Sequence, residues 1–175
     1  MVFTVGFVAI RAYYHQPENE NQTEIQGTRE KWLATQFSLS LLCTHGWWLS
    51  QPSSPSMSYL AMVGALLMAC SLPMLIWVHH SLGKFFSARL VLQPEHTIIQ
   101  QGPYQYIRHP MYTVGFLYLI GAGLLSQSWI VGGVPFVAFS LLVGLRVQDE
   151  ETMLQSVSAE YASYMKKTGR FLPKI

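Results

Sequence analysis

MYTVGFLYLIGAGLLSQSWIVGGVPFVAFSLLVGLR, residues 111–146, holds two apolar runs parted only by Ser126, Gln127 and Ser128, with no acidic or basic residue before Arg146. A bilayer-spanning helix needs about 20 mostly apolar residues, with a range of roughly 17–25. The runs at 111–125 and 129–145 are shorter, 15 and 17 residues, and the three-residue polar break suits a tight reversal. The stretch therefore reads as a helical hairpin in a membrane.

Two further runs, at 32–49 and 57–78, have the same character, and residues 2–14 form a marginal one. The expected fold is an all-α integral membrane protein of about five transmembrane helices. Composition agrees: of 175 residues 50% are apolar and only 11% charged, against about 25% charged in a typical soluble domain. A net charge of +2 is too small to suggest nucleic acid, no basic run or helix supports such a partner, and none is expected. Cys43 and Cys70 lie in apolar stretches and are expected to be buried free thiols, with no metal site. The start, MVFTVGFVAIRAYYHQ, lacks a basic leading region and a small-residue cleavage site, so it reads as an anchor and not a signal peptide.

Charge placement orients the spans. All 11 Lys and Arg residues fall in three segments. Arg11, Arg29 and Lys31 precede the second span. Lys84, Arg89 and Arg108 lie between the third and fourth. Arg146, Lys166, Lys167, Arg170 and Lys174 follow the fifth. With five spans these segments share one side, which the positive-inside rule makes cytoplasmic, leaving the N-terminus outside. The polar segment 16–30 reads as a connector. Gly115, Gly121, Gly123, Gly132, Gly133 and Gly144 are expected to let helix backbones approach. Pro73 and Pro135 are expected to kink or open their helices. Beyond Arg146, the residues Met153, Leu154, Val157, Tyr161, Tyr164 and Met165 recur at helical spacing, predicting an amphipathic helix over 146–167 that continues the last span.

Chemistry concentrates in two places. One is QPEHTIIQQGPYQYIRHPMY, residues 93–112, preceded by LGKFFS at 82–87; the other is RVQDEE, residues 146–151. Arg146 and Glu150 share a helix face at i and i+4. Pro110 suits the first turn of a helix. Tyr104, Tyr106 and Tyr112 surround the Arg-His-Pro step, and aromatic faces hold onium ligands by cation–π attraction. An arginine such as Arg146 can grip an anionic group in a bidentate fashion. Arg108 is expected to snorkel at the membrane boundary.

The string GPYQYIRHPMYTVG, followed by DEE and then EYASYMKKTGRFLP, resembles the isoprenylcysteine carboxyl methyltransferase family, relatives of the phospholipid methyltransferases with an RHPxY…EE signature. The resemblance covers about residues 82–175; the family's usual FG before EY is replaced by Val157, Ser158 and Ala159. It implies one methyltransferase domain over 1–175, with N-terminal spans in 1–80 and a cofactor-binding and catalytic region in 81–175. It further implies S-adenosylmethionine as donor, S-adenosylhomocysteine as product, and a lipophilic acceptor entering from membrane lipid. The donor residues would be Gln93, His96, Thr97, Ile98, Ile99, Tyr104, His109, Pro110, Met111, Tyr112 and Glu150, with Arg146 on the acceptor. A carboxylate acceptor such as that of an isoprenylated cysteine needs no base. A phospholipid amine or small thiol would, and His109 or Glu151 would then serve. Competing classes are a sterol-reductase-like nicotinamide enzyme, which lacks its glycine-rich fingerprint here, a haem protein using His45, His79 or His80, and a purely structural protein. His45 and His79 would stand on the order of 20 Å apart in depth, and His79 and His80 read better as interfacial residues.

Overall fold

In a computed structural model of the chain, residues 42, 45, 46, 49, 50, 58–82 and 98–174 are described. The expected span at 2–14, most of that at 32–49, and the donor candidates Gln93, His96 and Thr97 lie outside the described residues. Those described form helices α1 (Tyr59–Leu82), α2 (Pro110–Ser126), α3 (Trp129–Val157) and α4 (Ala159–Lys167), with a 3-10 turn at Gly102–Gln105. Among them the only β pairing is an isolated parallel bridge between Ile107 and Gly169. Helices α1 and α3 are long and apolar enough to cross a membrane; α2, with 17 residues, is apolar but shorter.

The hairpin expected at 126–128 is present. Pro110 opens α2, where its fixed φ favours the helix and its missing N–H loses no bond. At the other end Gln127 adopts a left-handed conformation, φ 50°, and its N–H reaches the Leu124 carbonyl. The Gln127 side chain donates to Ser58 Oγ at 2.6 Å, fastening the turn to the approach to α1. Helix α3 then runs without a break through Pro135 and past Arg146.

Helix α2 lies between α1 and α3 and packs on both. The core is Met68, Leu75 and Val78 of α1, Val114, Tyr118, Leu119 and Ala122 of α2, and Phe139, Val143 and Val147 of α3. Leu60, Met62, Leu66, Ile76 and Trp77 of α1, with Val134, Val137, Leu141 and Leu145 of α3, point outward. An outward apolar belt is what a helix bundle presents to hydrocarbon. Lipid supplies no hydrophobic drive between helices, so their cohesion depends on close packing. That packing is close where Gly132 meets Gly123 and where Gly64 meets α2: a Cβ on Gly132 would overlap the Gly123 Cα, and one on Gly64 the Leu125 backbone. Gly121 is similarly closed off by Met68 and the Gly64 carbonyl. Gly133 and Gly144 differ from expectation, since a Cβ on either would meet nothing within 4 Å.

Four other expectations are corrected. Instead of one amphipathic helix over 146–167, the chain continues α3 to Val157, turns extended at Ser158 (φ −140°, ψ 113°), and starts α4. The break falls where Val157, Ser158 and Ala159 replace the family's FG. Cys70 is free but exposed: the apolar neighbours that suggested a core mark a face turned outward on α1. His79 is not interfacial but fully buried, its Nδ1 2.8 Å from the Leu75 carbonyl. Arg108 does not snorkel; its partners lie within the protein, as the site geometry makes clear.

Candidate functional site

The site forms where α2 begins, α3 leaves its apolar stretch and the segment after α4 folds back. Residues 168–171 make a strap along residues 106–109. Arg108 N–H donates to the Gly169 carbonyl at 2.9 Å, His109 N–H to Arg170 at 3.0 Å, and Gly169 N–H to Tyr106 at 3.4 Å. Thr113, a turn into α2, adds a bond from Oγ1 to the Phe171 carbonyl at 2.9 Å. Tyr164 on α4 donates from its hydroxyl to the Tyr104 carbonyl at 2.5 Å. The loop from Gly102 starts with a left-handed residue, φ +59°, pressed against Ser81 of α1, so only glycine fits there without strain.

Glu151 is the hub. Its Oε1 accepts from Arg108 Nε at 3.0 Å, His109 Nε2 at 3.2 Å and Arg170 Nε at 3.3 Å; its Oε2 accepts from Arg170 Nη2 at 2.5 Å. The Glu151 side chain is only 4% exposed and that of Arg108 9%. Burying such charges is costly unless partners replace their water, and here they do. Arg108 also donates from Nη1 to the carbonyls of Met165 (3.1 Å) and Thr168, at the C-terminal end of α4. A cation is favoured at that end of a helix.

Glu150, the residue before Glu151, is 31% exposed and faces a different neighbourhood. Its Oε2 accepts from the Tyr112 hydroxyl at 3.2 Å and stands 3.9 Å from His109 Nδ1. The two adjacent carboxylates thus stand on the two sides of one imidazole, and only Glu151 is bonded to it. The His109 ring is flanked by Tyr112 and Phe171, with centroids 5.7 and 6.1 Å away. Burial pushes the His109 pKa below its usual range, against the pull of Glu150 and Glu151. The Glu151 carboxylate holds the Arg170 guanidinium above its usual range. Burial raises Tyr104 beyond the ordinary phenol range, reinforced by the charge of Glu150, and pushes Tyr164 up to about 12.

Of the residues singled out from sequence, His109, Tyr112, Glu150 and Glu151 come together directly. Pro110 is buried at the start of α2, and Met111 packs half-buried against the core. Tyr104 is buried in the core cluster; Ile99 packs against that cluster, and Ile98 is half-buried beside it in sequence. Arg146 is half-buried one turn before Glu150 on α3. Sequence reading missed Arg170, Phe171, Thr113 and the role of Arg108. Tyr161 also escaped it: its hydroxyl is buried without a hydrogen-bond partner among the described residues. The only signal was the Thr-Gly-Arg-Phe string following α4.

Apolar helices with an aromatic and carboxylate cluster at their charged end are the build of a membrane protein. The family model for isoprenylcysteine carboxyl methyltransferase matches residues 62–156, and the chain belongs to that family. It is similar to the cobalt-zinc-cadmium resistance protein CzcN of Cupriavidus metallidurans, 28% identical over 137 residues, 78% of this chain and 58% of that protein. The nickel-cobalt-cadmium resistance protein NccN of Alcaligenes xylosoxydans is 27% identical over 78 residues, 45% of this chain and 37% of that one. The uncharacterized protein YpbQ of Bacillus subtilis is 26% identical over 84 residues, 48% and 50% of the two chains. The chain thus spans about half the length of the curated relatives it matches.

Proposed function

We propose that this chain is an integral membrane methyltransferase that uses S-adenosylmethionine and acts on a lipophilic acceptor, in first place a carboxylate such as that of an isoprenylated cysteine. The reading rests on family membership and on one observation above all: His109 and Tyr112, a turn apart at the start of α2, meet Glu151 and Glu150 of α3. The chemistry of that set suits the donor, which carries a sulfonium cation and polar ends. Tyr112 and Tyr104 provide aromatic faces, Met111, Pro110, Ile98 and Ile99 apolar contact, and Glu150 and His109 hydrogen-bond acceptors. Gln93, His96 and Thr97 would complete the donor site from the preceding segment.

When bound, the donor supplies an electrophilic methyl group. The chain's part is orientation and the exclusion of water, which can account for much of a rate enhancement when two reactants are held in line. Arg146, on the same α3 face as Glu150, would clamp an anionic acceptor beside the donor. A carboxylate is already ionised at neutral pH and asks for no base. The spans in 1–80 would shape the apolar route by which the acceptor arrives, with 81–175 holding donor and catalysis. Charge placement favours an outside N-terminus and a donor site open to the cytoplasm.

A second reading, methylation of a phospholipid amine or a small thiol, draws on the His109 geometry. A buried, neutral imidazole bonded to Glu151 through Nε2 keeps a lone pair on Nδ1 that can take a proton from such an acceptor.

The test is titration calorimetry of the purified full-length protein in detergent with S-adenosylhomocysteine. Binding by the wild type, weakened about tenfold or more in Glu150→Ala, is the expected result; no heat from the wild type rejects the reading. Arg146→Ala is expected to keep donor affinity within about twofold while turnover of an anionic acceptor falls about a hundredfold, the scale on which a misplaced reactant slows a reaction. Equal loss of donor affinity in both variants would refute this division of labour.

A further inference from the structure

We propose that Glu151 is a positioning residue for His109, kept in place by the strap through Arg170, so that the imidazole is held as one tautomer with its Nδ1 lone pair turned toward Glu150. The proposal rests on the methyl-transfer reading, because it hands that lone pair to the site.

Hydrogen-bond bookkeeping carries it. Arg108 and Arg170 both donate to Glu151, and guanidinium groups stay charged at any ordinary pH. Glu151 beside them is ionised and can only accept. The hydrogen in its 3.2 Å contact with His109 must therefore sit on Nε2. A neutral ring protonated there has an acceptor at Nδ1. That atom stands 3.9 Å from Glu150 Oε2, also an acceptor. Two acceptors at this separation do not bond to each other; they leave a place for a donor that both can share.

The strap makes the pose rigid. The His109 backbone N–H is bonded to the Arg170 carbonyl, and Phe171 and Tyr112 flank the ring. Arg170 reaches Glu151 with two nitrogens although its own side chain is 45% exposed. The groups that face His109 are Arg108 before it, Tyr112 on α2, Glu150 and Glu151 on α3, and Arg170, through Glu151, on the strap. Glu151 itself is used up by its partners, so it acts through the imidazole and not as a base.

The experiment is imidazole nitrogen NMR on full-length, histidine-labelled protein in detergent from pH 5 to 8, with His109→Gln to assign the signals. The wild type should show Nε2 protonated and Nδ1 unprotonated at neutral pH. In Glu151→Gln the ring should titrate at lower pH, because the neighbouring anion is gone, and the tautomer preference should weaken. Glu151→Ala should mix the tautomers and cut S-adenosylhomocysteine affinity about tenfold or more, the scale of one lost hydrogen bond to a charged group. Arg170→Lys should restore part of what Arg170→Ala loses. A wild-type ring protonated at Nδ1, or Glu151→Gln spectra identical to wild type, overturns the proposal; should Glu151→Ala fail to fold, Glu151→Gln decides alone. The spectra can be read whether or not the homocysteine product binds, so a failure of the methyl-transfer reading appears only in the calorimeter.

Discussion

The two ends of the α2–α3 hairpin hold the same pair of helices together by opposite means. At the turn, Gly123 and Gly132 let the backbones touch, and no side chain separates them. At the far end Glu151 reaches from α3 to the start of α2, bringing His109 and Arg108 into one bonded cluster. The first contact is nondirectional and intolerant of volume. The second is directional and intolerant of lost charge. The contact that tolerates no added volume thus lies at the turn, and the directional bonds that fix the His109 pose lie at the other end.

The sharpest way to break the contrast is at the charged end. Glu151→Ala should strip two arginines of their common partner and destabilise the fold by about 3–5 kcal/mol, the usual result of removing one member of a buried ion cluster. Thermal unfolding in detergent would show it, and a loss comparable to a surface pair, under about 1 kcal/mol, would mean that the cluster is solvated after all. At the dry end, Gly132→Ala should cost about 1–3 kcal/mol by overpacking, while Gly133→Ala, where a Cβ meets nothing, should be neutral or slightly stabilising. Matching melting temperatures for the two alanine variants would contradict the glycine contact.

The smallest effect concerns pH. Folding lowers the His109 pKa from its ordinary 6.5, so in the window just below that value the unfolded chain binds more protons than the folded one. Stability from this group is therefore complete above about pH 6.5 and declines as pH falls through the window. Melting temperatures at pH 7.5 and 5.5 should differ more in the wild type than in His109→Gln. An equal difference in both would assign the dependence to other groups.

The hairpin was legible because each of its marks is local. Pro110 opens a helix, and the Ser126, Gln127 and Ser128 break closes one, by rules that involve only near neighbours. Arg146 and Glu150 could be placed on one face for the same reason. The strap was not legible: it is joined to 106–109 mostly by backbone bonds, which leave no side-chain pattern, and Arg108 finds partners 43 and 57 residues further along. Cys70 misled for a different reason. Apolar neighbours imply burial in a water-soluble core, but on a helix facing hydrocarbon they accompany exposure as readily. Gly133 and Gly144 show that a small residue permits close approach without requiring it.

The strap also gives the site a place in time. Residues 106–109 leave the ribosome well before their partners at 168–171, and the bonds that join them span about 60 residues of chain. Long-range closures of this kind are late events in folding. The hairpin can settle early on its own near-neighbour contacts, but the surroundings of His109 are complete only when the strap arrives. Until then the apolar scaffold stands without the Arg170 bonds to Glu151 and the Phe171 ring that close around His109.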